Sequence, residues 1–219
     1  MVIGNGLISK SFIEYSSNKD YLIFASGVSN SNESRESEFK REFDLINEYI
    51  NTDSKFIYFS TINDGDNRYF NHKKSMENFI ISNSKNYIIF RLPNVVGDGG
   101  NCNNIFNYLN HKILNEDTIN IQNVTRSLID IDDVRSICKY CMRFTNRILN
   151  ISNIEILKVD DIVDIMSDEL KIGPYKKIVG GGINTNGENS IEVENAIDDM
   201  GIKRTGYTKS LIKKYIKKW

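Results

Sequence analysis

The chain has 219 residues, 40% hydrophobic and 26% charged, with three cysteines and a formal net charge of −1. That is enough for one sizeable core, and it excludes a disordered tail, a collagen-like chain and a disulfide scaffold. No basic field attracts nucleic acid, no apolar stretch nears the roughly 20 residues that span a bilayer and no signal segment opens the chain, so a protein of a reducing cytoplasm with neither nucleic-acid nor membrane partner is expected.

Met1-Val2-Ile3 is a short apolar run that meets Gly4-Asn5-Gly6, and a helical pattern follows with Leu7, Ile8, Phe12 and Ile13 on one face. Residues 21–25 read as a buried strand closed by Ser26-Gly27. From 33 to 50 the period is helical, with Phe39, Phe43, Ile46 and Ile50 recurring. Residues 55–59 form a third strand, 69–81 a helix, and 87–92 a fourth strand ended by Pro93. Strands alternating with amphipathic helices predict an α/β fold with a doubly wound, parallel, Rossmann-like sheet. After Pro93, Gly97-Asp98-Gly99-Gly100 is a loop, 105–114 a helix, and 119–121 and 127–129 short strands. Asp132-Asp133 takes the N-cap place of a helix over 134–144. A strand at 148–151, a helix at 159–170, a break at Gly180-Gly181-Gly182, and helices at 192–200 and 209–219 complete the reading.

Two constellations carry chemistry. Gly4-Asn5-Gly6-Leu7-Ile8-Ser9 joins a strand to a helix, where glycines let backbone approach a pyrophosphate. Ser9 stands at the third glycine position of that pattern and is small enough for close helix–strand packing. In Tyr69-Phe70-Asn71-His72-Lys73, the Tyr and Lys lie one turn apart on one helix face. A nearby ammonium lowers a phenol's pKa, so the pair can shuttle a proton at a carbinol or carbonyl oxygen. Ser60 or Thr61, past the third strand, can hold the same oxygen. The bland alternative is a surface pair on a helix whose core face is Met76, Phe79 and Ile80. His72, about 100° round the helix from Lys73, has no role in this reading.

The order of these features resembles the extended short-chain dehydrogenase/reductase family, in particular its sugar-nucleotide epimerases, dehydratases and reductases. Phe56-Ile57-Tyr58-Phe59-Ser60-Thr61 is similar to that family's strand with the catalytic Ser/Thr. Residues 91–99, Arg-Leu-Pro-Asn-Val-Val-Gly-Asp-Gly, are similar to its Arg-x-x-Asn-x-x-Gly-x-Gly segment. Residues 125–134 are similar to its Arg-Asp-Phe-Ile-His-Val-Asp-Asp-Val segment, and residues 196–201 followed by 207–219 to its closing helices. The resemblance implies NAD or NADP as cofactor and a nucleotide-diphospho-sugar as substrate. Gly4, Asn5, Gly6, Leu7, Ile8 and Ser9 would bind the cofactor, with Ala25, Ser26 and Gly27 along it and Pro93 bordering the nicotinamide. Thr61 (or Ser60) would hold the reacting oxygen. Tyr69 would be the acid/base, and Lys73 would also bond the nicotinamide ribose. Asn94 and Arg126 would contact the substrate diphosphate. Residues 1–95 would be the dinucleotide-binding part. Residues 96–219 would carry a small substrate-binding lobe and the C-terminal helices, all within one compact unit. The family often forms homodimers.

The chain departs from the family in three places. The second and third strands are missing between the first helix and residues 21–25, and with them the residue that reads the adenosine ribose. Seven residues, fewer than in the family, separate Thr61 from Tyr69. The Asp-Glu that follows the Thr in dehydratases is Ile62-Asn63, with Asp64 and Asp66 close by, which argues against 4,6-dehydration. Cys102 and His111 lie in the substrate-side region but match no Cys/His acid–base pair. The expectation is an NAD(P)-dependent enzyme performing 4-keto reduction or epimerisation, with a lean to reduction, of the kind that serves surface polysaccharide synthesis. The alternative is a binding module of the same fold without turnover. The basic run at the C-terminus is read as a solvated helix end.

Overall fold

The computed structural model describes residues 1–219 except 64, 103, 116–117, 152–153, 183, 186 and 217–219. The elements in chain order are β1 (Val2–Ile3), α1 (Leu7–Ser11), β2 (Tyr21–Phe24), α2 (Glu36–Tyr49), β3 (Lys55–Thr61), α3 (Arg68–Asn83) and β4 (Tyr87–Leu92). They continue with β5 (Asn94–Val96), α4 (Ile105–Asn115), β6 (Thr118–Ile121), β7 (Thr125–Asp130), α5 (Ile131–Cys141), β8 (Arg147–Asn150), β9 (Ile156–Lys158), α6 (Val159–Leu170), β10 (Tyr175–Ile178), α7 (Ile191–Asp199) and α8 (Tyr207–Tyr215).

The main sheet is parallel, in the order β1-β2-β3-β4-β8. Its central strands are apolar on both faces, as a sheet covered by helices on both sides requires. On one face Leu22, Phe24, Phe56, Tyr58 and Ile89 pack against Ile46 and Ile50 of the α2 segment and Met76 and Ile80 of α3. On the other, Ile23, Ile57, Ile88 and Phe90 pack against Phe12, the α5 residues Val134 and Ile137, and the α7 residues Val193 and Ile197.

This placement makes one connection unusual. The chain steps across the sheet in one direction from β1 through β2 and β3 to β4. Yet α1 covers one face, while α2 and α3 cover the other. The β1–α1–β2 crossover therefore has the opposite hand to the two that follow, whereas about 98% of such connections share the right hand. A doubly wound sheet normally puts helices on opposite faces by winding outward from β1 in both directions. Here only one direction is occupied, and β1 is an edge. The reading of two absent strands agrees with this five-stranded sheet. The loops leaving β1 and β2 diverge to opposite faces, so a crevice opens between them at the carboxyl ends of the strands.

Beyond β4 the chain builds a second core. Phe106, Leu109 and Ile113 of α4 meet Val159, Ile162, Val163 and Met166 of α6, Leu211 and Ile212 of α8, and Leu128 of β7. Two small sheets, β5-β7-β9 and β10-β6, belong to this lobe. Asp130 Oδ1 and Oδ2 accept from Tyr215 and Lys214, and Lys214 also reaches Asp132, so α8 is tied to the α5 N-terminus.

Several expectations need correction. Ile13 is 67% exposed, because α1 stops at Ser11 and a 3-10 turn (Ile13–Tyr15) rotates it off the core face. Asp130, not Asp132-Asp133, caps α5, accepting from the Asp132 amide. The strands β5, β9 and β10 were not foreseen. Asn94 opens β5 directly after Pro93, which ends one strand and leaves the next free to pair elsewhere. The basic C-terminal run is not merely solvated: Lys213 pairs with Glu169 and Lys214 with Asp130 and Asp132, while residues 217–219 lie outside the described set.

Candidate active site

One cleft of about 1470 Å³ lies at the carboxyl ends of β1 to β4, facing the second lobe. It is lined by Gly4, Asn5, Gly6, Leu7, Ile8, Ala25, Ser26, Gly27, Ser60, Thr61, Tyr69, Lys73, Pro93, Asn94 and Arg126. Of the residues to which the sequence reading gives a catalytic, cofactor or substrate role, Ser9 is the one that does not line this surface. It is buried, and its hydroxyl donates to the Gly6 carbonyl at 2.9 Å.

The glycine turn is shaped by contact as well as by conformation. Gly4 has φ +126, and a Cβ there would sit 2.3 Å from the Ala25 carbonyl oxygen. Only glycine lets β1 run this close to the end of β2. Open space faces Gly6, with nothing within 4 Å of where its Cβ would be. Gly6 also lines the cleft.

The α3 helix positions the Tyr-Lys pair. Asn67 caps it, accepting from the Phe70 amide at 3.1 Å, and its own amide donates to Ser31. Tyr69 and Lys73 then project from the buried face, shared with Phe70, Met76, Glu77 and Ile80, so the surface-pair alternative is excluded. Tyr69 is 9% and Lys73 3% exposed. Ser60 and Thr61 end β3 beside them. Ser60 Oγ is buried with no hydrogen-bond partner among the described residues, while Thr61 Oγ1 accepts from the Asn63 amide at 3.2 Å. An orphaned hydroxyl in a cleft wall is what a bound oxygen would satisfy.

The sequence reading missed the group that organises this region. Glu42, 0% exposed on α2, accepts from Tyr58 Oη at 2.6 Å, the Val28 amide at 2.7 Å and Lys73 Nζ at 2.9 Å. His72 Nε2 lies 3.1 Å from its second oxygen. Burial alone would raise the Glu42 pKa, but Lys73, His72, Tyr58 and Val28 outweigh it and hold the carboxyl well below its usual range. A clue was present in the sequence. Glu42 falls on the apolar stripe of α2, between Phe39 and Ile46, where a carboxylate needs a buried partner.

This network corrects the expected electrostatics of Tyr69. Burial pushes its phenol up, the Lys73 ammonium pulls it down, and Glu42 pushes it up again, leaving it above the ordinary value. Lys73 is neutralised by Glu42 and also donates to Tyr58 at 3.2 Å. It sits 5.9 Å from the Tyr69 ring centre.

On the far side, Arg126 Nη1 donates to the Thr125 carbonyl at 2.9 Å, and burial lowers its pKa. The Asn94 amide donates to the Ser127 carbonyl at 3.1 Å, joining β5 to β7. Asn101 bonds Ser29 at 3.2 Å, so loops from the two lobes meet at the cleft. Cys102 is exposed, and neither it nor His111 lines the cleft. Asp66 does not line it either, and Asp64 lies outside the described residues. The charged residues that do line it are Arg41, Lys73 and Arg126, with no carboxylate among the described lining residues.

A crevice at the carboxyl ends of a parallel α/β sheet, where the connections from two neighbouring strands leave to opposite faces above a glycine turn, defines the Rossmann-like class of nucleotide-binding folds. No protein-family model matches the sequence, and no curated protein does. Solved structures match it along nearly its whole length. RMD from Pseudomonas aeruginosa, complexed with NADPH, superposes with a TM-score of 0.72 at 13% identity, over 97% of this chain and 96% of that one. UDP-glucuronic acid 4-epimerase from Bacillus cereus, in complex with UDP-glucuronic acid and NAD, gives 0.71 at 15% identity over 97% and 80%. dTDP-glucose 4,6-dehydratase from Bacillus anthracis, in complex with NAD, gives 0.70 at 10% identity over 98% and 77%. The chain thus has the fold of the extended short-chain dehydrogenases/reductases, in a shortened form.

Proposed function

We propose that the chain is an NAD(P)-dependent enzyme acting on a nucleotide-diphospho-sugar, by 4-keto reduction or epimerisation. The observation that carries this is the single cleft shared by the glycine turn, Ser60/Thr61, Tyr69 and Arg126. Its volume exceeds the roughly 300–1,000 Å³ of one small-molecule pocket, as cofactor and substrate together need. The cations, and the lack of a carboxylate among the described lining residues, suit two diphosphates. Solved structures of the same fold hold NADPH, NAD and a UDP-sugar.

When bound, the nicotinamide exchanges hydride with a sugar carbon. The glycine turn offers backbone amides to the cofactor diphosphate, with Ala25-Ser26-Gly27 alongside. Pro93 borders the nicotinamide. Thr61 or Ser60 holds the reacting sugar oxygen, and Tyr69 gives or takes its proton. Lys73 hydrogen-bonds the nicotinamide ribose while anchored on Glu42. Arg126 and Asn94 hold the substrate diphosphate. The open adenosine side favours a cofactor that leaves after each turnover, and hence reduction. A homodimer through the outer face of α2 and α3 belongs to this reading; Phe43 and Ile81 are exposed there, and light scattering in solution tests it.

Tyr69→Phe is the direct test. Turnover of a nucleotide 4-keto-sugar with NADPH should vanish, while nicotinamide fluorescence on titration should be nearly unchanged. Unchanged turnover removes Tyr69 from the chemistry. A second reading, binding without turnover, is favoured by one observation: Glu42 neutralises Lys73, and the Tyr69 phenol is raised. Tight cofactor binding with no turnover of any nucleotide sugar would select it.

A further inference from the structure

Asn63 stands two residues past Thr61, the last residue of β3, and lines the cleft. Its backbone amide donates to Thr61 Oγ1 at 3.2 Å, so the residue begins beside a hydroxyl assigned to the reacting oxygen. Its side-chain oxygen accepts from the Thr185 hydroxyl at 3.0 Å, across 122 positions of sequence. Thr185 belongs to the segment between β10 and α7; it is 1% exposed and does not line the cleft. The Asn63 carboxamide is thereby turned. Its oxygen faces the protein, and its nitrogen, with two donors, is left for the cleft. Among the described residues that nitrogen has no acceptor. The side-chain nitrogens of Asn67, Asn94 and Asn104, which also line the cleft, are spent on the carbonyls of Ser31, Ser127 and Val95.

Thr185 also fixes where Asn63 stands along the cleft. Its amide donates to the Thr125 carbonyl at 3.0 Å, the same carbonyl that Arg126 Nη1 reaches at 2.9 Å. One buried residue therefore ties the Thr61 end of the cleft to the strand that carries Arg126. In the proposed reading the substrate diphosphate lies on Arg126, and the reacting sugar oxygen lies between Thr61 or Ser60 and Tyr69. The sugar ring spans the gap between these two places, and Asn63 borders that gap at its reacting end. A carboxamide donates a hydrogen bond but takes up no proton, so it orients an oxygen without reacting with it.

Resting on the nucleotide-sugar reading of the cleft, we infer that Asn63 is a sugar-binding residue, held by Thr185 as a positioning residue, and that its amide donates to a sugar oxygen beside the reacting one. The ligand class is a nucleotide sugar with an oxygen on the carbon next to the reacting carbon, as glucose has. The test is calorimetry on the full chain, with UDP-glucose against UDP and dTDP-glucose against dTDP. One neutral hydrogen bond is at stake, so Asn63→Ala should lose about fivefold on the sugar nucleotide and less than twofold on the free diphosphate. Asn63→Asp keeps the acceptor for Thr185 but removes the donor, and should lose at least as much. Thr185→Val should show the same selective loss and add nothing to it when combined with Asn63→Ala, and Thr185→Ser should bind as the unaltered chain does. Unchanged sugar-nucleotide binding in the Asn63 variants overturns the inference. So does an equal loss on both ligands, which would make Asn63 and Thr185 a structural pair only. A Thr185→Val loss that adds fully to that of Asn63→Ala removes Thr185 from the positioning role. Should Asn63→Ala not fold, Asn63→Asp decides. If the unaltered chain binds none of the four ligands, the nucleotide-sugar reading itself fails.

Discussion

Replacing Glu42 with Gln tests whether one buried carboxylate holds the floor of the cleft together. The substitution keeps shape and removes charge. In the native chain the two oxygens accept from Lys73 (2.9 Å), Tyr58 (2.6 Å) and the Val28 amide (2.7 Å). Glutamine has one acceptor, so its amide nitrogen must face a donor. Lys73, 3% exposed, loses the carboxylate that neutralises it. Breaking a buried pair by removing one partner costs about 3–5 kcal/mol. That is a large part of the roughly 5–15 kcal/mol that holds a domain folded. At about 2–4 °C per kcal/mol for a chain of this size, Tm should fall by roughly 6–20 °C. Thermal and urea unfolding followed by circular dichroism measure it. The double variant Glu42→Gln/Lys73→Met leaves no unpaired charge and should recover most of the loss. A single variant within about 1 kcal/mol of the native chain, or a double variant no better than the single, refutes the reasoning.

Acid should act on the same group. Its folded pKa lies below the unfolded value, so its stabilisation is complete above about pH 4.3 and is lost as pH falls further. Urea midpoints should drop below that pH in the native chain and less steeply in Glu42→Gln. If Glu42→Gln folds and turns over substrate, its pH profile should shift to lower pH, because Glu42 helps to raise the Tyr69 phenol. Arg126→Ala should weaken nucleotide-sugar binding about tenfold or more, since a hydrogen bond to a charged group contributes about 1.5–3 kcal/mol; calorimetry giving equal affinity would remove Arg126 from that role. Gly4→Ala must move the Ala25 carbonyl, 2.3 Å from the added carbon, at a left-handed φ. It should cost about 1–3 kcal/mol or more in urea unfolding and abolish cofactor binding, and a native-like variant would contradict the close approach.

The sheet was legible because β2, β3 and β4 are continuous apolar runs bounded by glycine, serine or proline, and periodicity decides such runs. Residues 87–92 and 159–170 coincide with β4 and α6. Short strands of the second lobe were not legible. β10 is Tyr-Lys-Lys-Ile, largely exposed, and its pairing with β6 comes from tertiary contact that local pattern does not encode. The residues lining the cleft could be found because turn glycines, strand-end hydroxyls and the Tyr-x-x-x-Lys spacing occur in a fixed order. Glu42 could not be placed the same way. Its partners Tyr58, His72 and Lys73 lie 16 to 31 positions away and meet it only once α2 and α3 pack together.

A crystal structure with NADPH bound tests the central claim most directly. The account predicts the diphosphate against the amides of the Gly4-Asn5-Gly6 turn and the nicotinamide ribose within hydrogen-bond reach of Tyr69 and Lys73. NADPH bound on another surface, or a nicotinamide turned away from Tyr69 and Ser60/Thr61, would contradict it.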